Sequence, residues 1–484
     1  MARFDDRGRV EIDDVVLVAP GLDGDVTVER PAADGAVRGS RARRALDEAM
    51  GRVDMQTQAE VTVAEPRHMG SVEDPTRGGQ VATTTMELTV AGPRKGYEQA
   101  VLSTDEHGVA TWHLKGAQKH GGKAVRGGRR TRTYQIERSA APAKDKGTTR
   151  GLIPGLDKVI RIITFPVAWG VGKVARFAFR KWDAGRHPPQ VRAYDRKGKL
   201  ADLDEKAWKA LSDGPTLVYV HGTFSTTDGA FGGLSRDTRK ALDEKYKGRV
   251  IAFDHPTIAD DPIENARRFL EIAGDRRLEL DIVCHSRGGL VSRAIAERPG
   301  DLAPLAPKTG VRSIVLVGVP SGGTILADAD HWNELVDRLT TLINLLPTPG
   351  MNDVLESVLA MVRSIAVQTA KDLKGLESMV PTGAFLKRLN VAATGTASYR
   401  AIVSDFEPKN PGLRAWLNDA SRDWIFKNQP NDMMVTIESM TGRNGSTRFP
   451  VTDLQKFLQK DAIEHAHYFP EKATSQALLD WLPG

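Results

Sequence analysis

The segment Leu280-Asp281-Ile282-Val283-Cys284-His285-Ser286-Arg287-Gly288-Gly289-Leu290-Val291 reads as a short apolar strand, a sharp turn with a serine at its tip, and a helix that starts at once. This is the strand–turn–helix context of a nucleophile elbow, in which a strained turn lifts a serine hydroxyl into a cleft. Strand and helix nearly touch at such a turn, so the flanking positions must be small. Gly288 supplies the second glycine of G-x-S-x-G, and Cys284 stands in place of the first.

The surrounding chain has the organisation such an elbow requires. Apolar runs at Thr216–Val220, Arg249–Phe253, Leu280–Val283, Ser313–Val317 and Tyr399–Val403 alternate with helical patterns. Continuous apolar strands separated by helices predict a parallel sheet covered on both faces. Ligands of such sheets bind beyond the carboxyl ends of the strands, where the conspicuous motifs lie here. Between the fourth and fifth runs, Leu335, Leu339, Leu342, Ile343 and Leu346, then Val354, Leu355, Val358, Leu359, Val362 and Ile365, follow helical spacing. Residues 324–390 are therefore expected to form a helical insertion, either a lid over an apolar site or a helical excursion with its own core.

A serine hydroxyl needs a base to take its proton, and the base needs an acid to hold its tautomer. Ser286 is the candidate nucleophile. In the chain order Ser…Asp…His of this architecture, Asp432 and Asp405 compete for the acid, and Asp432, entering the apolar Met433-Met434-Val435, is preferred. His465 and His467 are the two histidines that follow, with His465 preferred as base. The oxyanion formed on attack needs backbone donors. Val220-His221-Gly222-Thr223 ends a strand with a glycine turn, so the Thr223 and Arg287 amides are expected to face one point. His221 and His285 read as structural residues flanking the site, and Asp254-His255-Pro256-Thr257 as cleft lining.

The chain before residue 196 reads differently. Val15–Val18, Val61–Val63, Met86–Val90, Gly108–Leu114 and Tyr134–Ile136 have the alternation or turn spacing of half-buried strands, which predicts a small β-rich, sandwich-like domain over 1–138. Residues 139–195 read as a basic linker followed by an amphipathic segment. Leu156–Trp182 mixes apolar and basic side chains, predicting a helix pair packed on the next domain or, as the alternative, a peripheral contact with lipid. The catalytic part is expected over 196–484.

Composition narrows the classes. The chain has 484 residues and a formal charge of +6. Eleven Lys/Arg against two acids lie between Thr111 and Arg150, with almost no aromatic side chains to stack bases, so no nucleic-acid partner is expected. No run of about 20 apolar residues predicts a membrane span, and the N-terminus lacks the apolar core of a secretory signal. A single cysteine excludes an internal disulfide and a cysteine-based zinc site. Residence in a reducing cytoplasm is the expectation, with export by a route lacking a cleavable signal left open.

Residues 200–484 resemble the lipase/esterase branch of the α/β-hydrolase superfamily, most closely bacterial lipase-like proteins and the GPI inositol-deacylase-type hydrolases. Val220-His221-Gly222-Thr223, the Cys284–Gly289 elbow, Gly318-Val319-Pro320-Ser321-Gly322-Gly323-Thr324, Asn431-Asp432 with Val435, and His465 with Tyr468-Phe469 carry the resemblance. It implies hydrolysis of a small-molecule or lipid carboxylic ester through an acyl-enzyme, with no metal or organic cofactor. The same triad serves a thioesterase or amidase, and a silent hydrolase fold used for membrane or protein binding is the non-enzymatic alternative. Oligomeric state is not legible.

Overall fold

In the computed structural model the described residues are 1–20, 22–31, 41–68, 85–105, 108–114, 131–137, 158–167, 181, 183–185, 187–298, 300–345, 351–366, 373–391, 396–417, 425–443, 447–448 and 450–484. The long basic stretch read between 111 and 150 falls largely outside them.

An eight-stranded sheet organises the second half of the chain. Its spatial order is Leu200–Asp202, Gln190–Tyr194, Val250–Asp254, Pro215–Val220, Leu278–His285, Thr309–Val317, Ser398–Ser404 and Val451–Phe457. The six strands from Val250–Asp254 onward are parallel, and the first two are antiparallel additions. The five apolar runs of the sequence form its centre, and both faces are buried: Val218, Val220, Ile282 and Leu316 on one side, Leu217, Tyr219, Val283 and Val317 on the other. The chain passes from Pro215–Val220 outward to Val250–Asp254 and then crosses to Leu278–His285 on the opposite side. Connections therefore diverge between Pro215–Val220 and Leu278–His285, and the carboxyl ends at such a divergence are where sheets of this kind bind ligands.

Two antiparallel sheets form the N-terminal part. A four-stranded sheet pairs Arg9–Ile12, Val15–Val18, Thr85–Ala91 and Thr131–Glu137. A six-stranded sheet contains Ala2–Arg3, Leu22–Glu29, Gln56–His68, Lys158–Pro166, Tyr97–Thr104 and Ala110–His113. They share an apolar core that includes Leu17, Leu88, Val61 and Ile160, as expected for a sandwich.

Two expectations need correction here. The β-rich part does not end at 138, and the segment beginning at Leu156 is not helical where it is described. Lys158–Pro166 is a strand in the middle of the six-stranded sheet, paired on both sides. Ile160 and Ile162 enter the sandwich core, Ile163 and Phe165 are buried on the other face, and Arg161 pairs with Glu60. The apolar side chains that the alternative reading would turn to lipid are enclosed by protein over this stretch, and residues 168–180 lie outside the described ones. The α/β part begins before 196, because Gln190–Tyr194 already belongs to its sheet.

The insertion is helical, with helices Trp332–Leu345, Met351–Ala366, Lys374–Glu377 and Ala384–Val391; Leu346 lies outside the described residues. It is held from the N-terminal side. The edge strand Ala110–His113 docks on helix Trp332–Leu345: Ala110 N donates to Thr341 Oγ1 at 3.0 Å, Trp112 N to Asp337 Oδ1 at 2.7 Å, and the Trp112 indole to Thr340 Oγ1 at 2.9 Å. Side chains of a helix here fill the hydrogen-bonding positions a further strand would occupy, which closes an exposed edge. Arg363, on helix Met351–Ala366, donates to the Val53 and Pro166 carbonyls, and Glu356 pairs with Arg52. The second face of the six-stranded sheet (Leu102, Trp112, Phe165) joins the same core as Leu335, Leu342 and Val358. No helix among the described residues is long and apolar enough to cross a membrane.

Candidate active site

Ser286 follows strand Leu278–His285 directly and has φ of +53°, a left-handed conformation rare for a residue with a side chain. Helix Gly288–Glu297 begins two residues later. The turn is held from behind, since Ser286 N donates to Val317 O at 2.9 Å and Gly289 N to Ser286 O at 2.9 Å. Cys284 fits where glycine is usual because it points into the interior: it is fully buried and its thiol lies 3.4 Å from Val315 O. Burial pushes that thiol up to about 12, so Cys284 behaves as a small apolar side chain.

The loop after strand Pro215–Val220 lies against the elbow. A Cβ on Gly222 would sit 2.6 Å from Ser286 Cβ, so only glycine permits this approach. Phe224, at φ +60°, donates its N–H to Thr257 Oγ1, and Thr223 Oγ1 lies 3.8 Å from Met379 Sδ of the insertion. Thr223 is thus fixed beside Ser286. The Arg287 amide stands at the N-cap of its helix, where N–H groups have no partner within the helix. The Arg287 side chain runs inward, fully buried, and donates to Gly375 O, Asp260 O and Asn265 Oδ1. It ties the elbow to the insertion, a role the sequence did not announce.

Asp432 is fully buried in a tight turn with Met433 at φ +78°. Its Oδ1 accepts from Met434 N at 3.1 Å and Val435 N at 2.8 Å. Its Oδ2 accepts from His465 Nδ1 at 2.7 Å and from the Tyr468 hydroxyl at 2.8 Å. With Nδ1–H committed to the carboxylate, a neutral His465 carries its lone pair on Nε2. Burial pulls the His465 imidazole down, but the charge and hydrogen bond of Asp432, helped by Glu464, outweigh it, and the group is held above its ordinary value. His465 N also donates to Asp432 O at 3.0 Å, so the two residues are joined through backbone as well.

Ser286, Asp432 and His465 converge on Gly318, the residue after strand Thr309–Val317. Ser286 is bonded to Val317, and a Cβ on Gly318 would lie 3.2 Å from Asp432 Oδ2 and 3.3 Å from His465 Cε1. His285 adds a second link, donating from Nε2 to His465 O at 2.8 Å with the rings 4.9 Å apart. Burial, followed by the neighbouring His465, pushes His285 down to about 3, so it is a neutral donor.

The alternative candidates, His467 and Asp405, have other partners. His467 Nδ1 faces Glu464 at 3.7 Å, and Asp405 accepts from Gln459 at 3.5 Å. His221 is buried, stacked on His255 at 4.3 Å, and accepts from His255 N at 3.2 Å. Burial drives it down to about 4 despite Asp254 at 3.6 Å. The Asp254–Thr257 loop therefore props the Thr223 loop from behind. Tyr468 and Gly318 stand in the sequence only within motifs that carry the family resemblance. Their contacts with Asp432 and His465 depend on four separate segments meeting, which spacing does not encode.

A family model described as a domain of unknown function, DUF7379, matches residues 187–483, more than half of the chain. The chain belongs to the DUF7379 family. The match coincides with the eight-stranded sheet and its helices and leaves the N-terminal sandwich outside. No curated protein matches the chain. Among solved structures it is similar to Bacillus licheniformis lipase BlEst2 in mature form, with 15% identity over 55% of this chain and 91% of that chain and a TM-score of 0.33. Lipase 1 from Pelosinus fermentans gives 15% identity over 56% and 97%, with a TM-score of 0.36. Staphylococcus hyicus lipase gives 13% over 55% and 93%, with a TM-score of 0.33.

Proposed function

We propose that this DUF7379 protein is a serine hydrolase of carboxylic esters, with acyl lipids as its substrate class. The observation that carries the reading is the 2.7 Å Asp432–His465 pair packed against Gly318, whose neighbour Val317 holds the turn of a serine at φ +53°. Buried carboxylate–imidazole pairs are common in structural roles. One packed against the same strand end as a left-handed serine at a strand–helix turn has the composition of an acyl-transfer site.

Ser286 Oγ attacks the ester carbonyl carbon while His465 Nε2 takes its proton. The oxyanion lies between the Thr223 and Arg287 amides. The tetrahedral adduct collapses, the C–O bond to the alcohol breaks, and His465 returns the proton to the departing oxygen. Water repeats the sequence on the acyl-enzyme, releasing the acid and Ser286. Asp432 keeps Nδ1–H in place and stabilises the imidazolium that forms in each half-reaction. The helical insertion acts in this reading as a fixed roof rather than a hinged lid, since both its neighbours hold it.

The test is labelling of Ser286 by a fluorophosphonate and turnover of short p-nitrophenyl esters. Ser286→Ala is expected to abolish labelling and lower turnover by roughly 10⁴-fold or more. Undiminished hydrolysis in that variant refutes the reading. Hydrolysis of thioesters or amides with no ester turnover would move the activity to another acyl class.

A further inference from the structure

Tyr468 is fully buried, three residues after the base, and its hydroxyl reaches Asp432 Oδ2 at 2.8 Å. That oxygen is the one that accepts from His465 Nδ1 at 2.7 Å. The other oxygen is taken by two backbone amides. All four acceptor positions of the carboxylate are therefore filled, and two different side chains draw on the same oxygen. We propose that Tyr468 is a positioning residue for the base: its hydroxyl fixes the carboxylate plane and shares the charge on Oδ2, setting the direction and strength of the Asp432–His465 bond. This rests on the reading of Ser286, His465 and Asp432 as a triad.

Three features support a tuned contact over simple packing. The space for the ring is made by Gly318, at φ +58°, where a Cβ would lie 2.9 Å from Tyr468 Cε2. The hydroxyl stays protonated, because burial and then the charge of Asp432 hold it well above the ordinary tyrosine range. A neutral donor on a carboxylate oxygen withdraws charge from it, which weakens that oxygen as a partner for imidazolium. The titratable groups facing His465 are Asp432, Glu464 and His285, with Tyr468 behind Asp432. Burial holds His285 neutral, whereas Glu464 is pushed up to about 7 and must be separated from the effect.

Tyr468→Phe removes one oxygen and keeps the ring. The expected result is a roughly ten-fold lower kcat with KM unchanged, because the lost alignment of the carboxylate and base outweighs the charge released on Oδ2. The acid limb of kcat/KM is expected to move upward by about half to one pH unit, since His465 then meets an undivided charge. In Glu464→Gln the same displacement is expected, and in Asp432→Asn it should vanish, because the anionic acceptor is gone. The low-field proton resonance of His465 Nδ1–H should shift between wild type and Tyr468→Phe in enzyme without substrate. That readout stands even where no ester is turned over, so loss of the hydrolase reading and loss of this proposal are separable. A lower Tm with unmoved limb and resonance would show packing alone and overturn the proposal. Where Tyr468→Phe fails to fold, 3-fluorotyrosine at 468 keeps ring and hydroxyl. Its stronger donation should move the limb downward, and no movement again overturns the proposal.

Discussion

Replacing Gly318 by alanine tests the convergence of the site at one atom. Gly318 has φ of +58°, and an added Cβ would lie 2.9 Å from Tyr468 Cε2, 3.2 Å from Asp432 Oδ2 and 3.3 Å from His465 Cε1. Two costs separate. The left-handed backbone costs any L side chain about 1–2 kcal/mol, which lowers Tm by roughly 2–8 °C in a domain of this size. The steric cost falls on the three side chains. Ordinary contact begins near 3.4 Å, so Tyr468 must move by roughly half an ångström, and it has no solvent to retreat into. Misplacement of catalytic groups by about 1 Å costs on the order of 100-fold, so a ten- to hundred-fold fall in kcat is expected. Gly248→Ala is the control. It has φ of +77° with nothing within 4 Å of its Cβ, so it carries the backbone cost alone. The assay is kcat on a p-nitrophenyl ester beside Tm for both variants. Equal activity in the two, at similar Tm, would refute the claim that Gly318 makes room for the base and its acid.

The remaining predictions concern the base, acidity and the roof. His465→Ala should lose activity as severely as Ser286→Ala, while His467→Ala, whose imidazole faces Glu464, should keep most of it; the two kcat values decide. Because Asp432 and Glu464 hold His465 above its ordinary value against burial, and the base works unprotonated, kcat/KM should rise with pH through a limb above about 6.5; a limb below that value contradicts the charge argument. Burial lowers His221 to about 4 and His285 to about 3 in the fold, so the stability they contribute is present above about 6.5 and is lost as pH falls through those values. Tm should drop between pH 7 and pH 4, and a flat profile would deny that these imidazoles are buried neutral. Asp337→Ala leaves the buried Trp112 N–H without its acceptor and should cost about 1–3 kcal/mol in denaturant titration. With the roof held in this way, hydrolysis of a soluble ester should show no jump at the onset of micelles, and such a jump would argue for a hinged insertion.

What could be read in the chain was set by how local the determining interaction is. The elbow, the His-Gly turn and the five central strands were legible because each is a short apolar run ending in a turn with its own chemistry. The preference for Asp432 over Asp405 rests on a local feature, its entry into the apolar Met433-Met434-Val435, and the structure adds that the Met434 and Val435 amides bond it. Lys158–Pro166 was misread because Lys158, Arg161 and the apolar residues between them suit an amphipathic helix. Its burial alternates as a strand's does, but only once Gln56–His68 and Tyr97–Thr104 pair on either side, far away in sequence. Strand Val451–Phe457 passed unnoticed for the opposite reason: an edge strand needs little apolar surface, and its Leu454 stays half exposed. The insertion's helices were visible, but not what covers them, because the Trp112 and Arg363 contacts join residues more than 190 positions apart.

One imidazole near the elbow is set apart from the others by contact with charge rather than by burial. His221, His255, His285 and His465 are all buried around the elbow. Burial alone disfavours the imidazolium in every one of them, and in His221, His255 and His285 it prevails. His221 has a carboxylate nearby, yet Asp254 stands 3.6 Å away and also serves Thr227 N, Thr227 Oγ1 and Arg192. His465 has Asp432 at 2.7 Å along Nδ1–H, and for this ring the direction reverses. Of these four imidazoles, His465 is therefore the one held above its ordinary value, as the proposed base requires. The others serve as uncharged donors, acceptors and stacking partners that keep the Ser286 turn, the Thr223 loop and His465 in register.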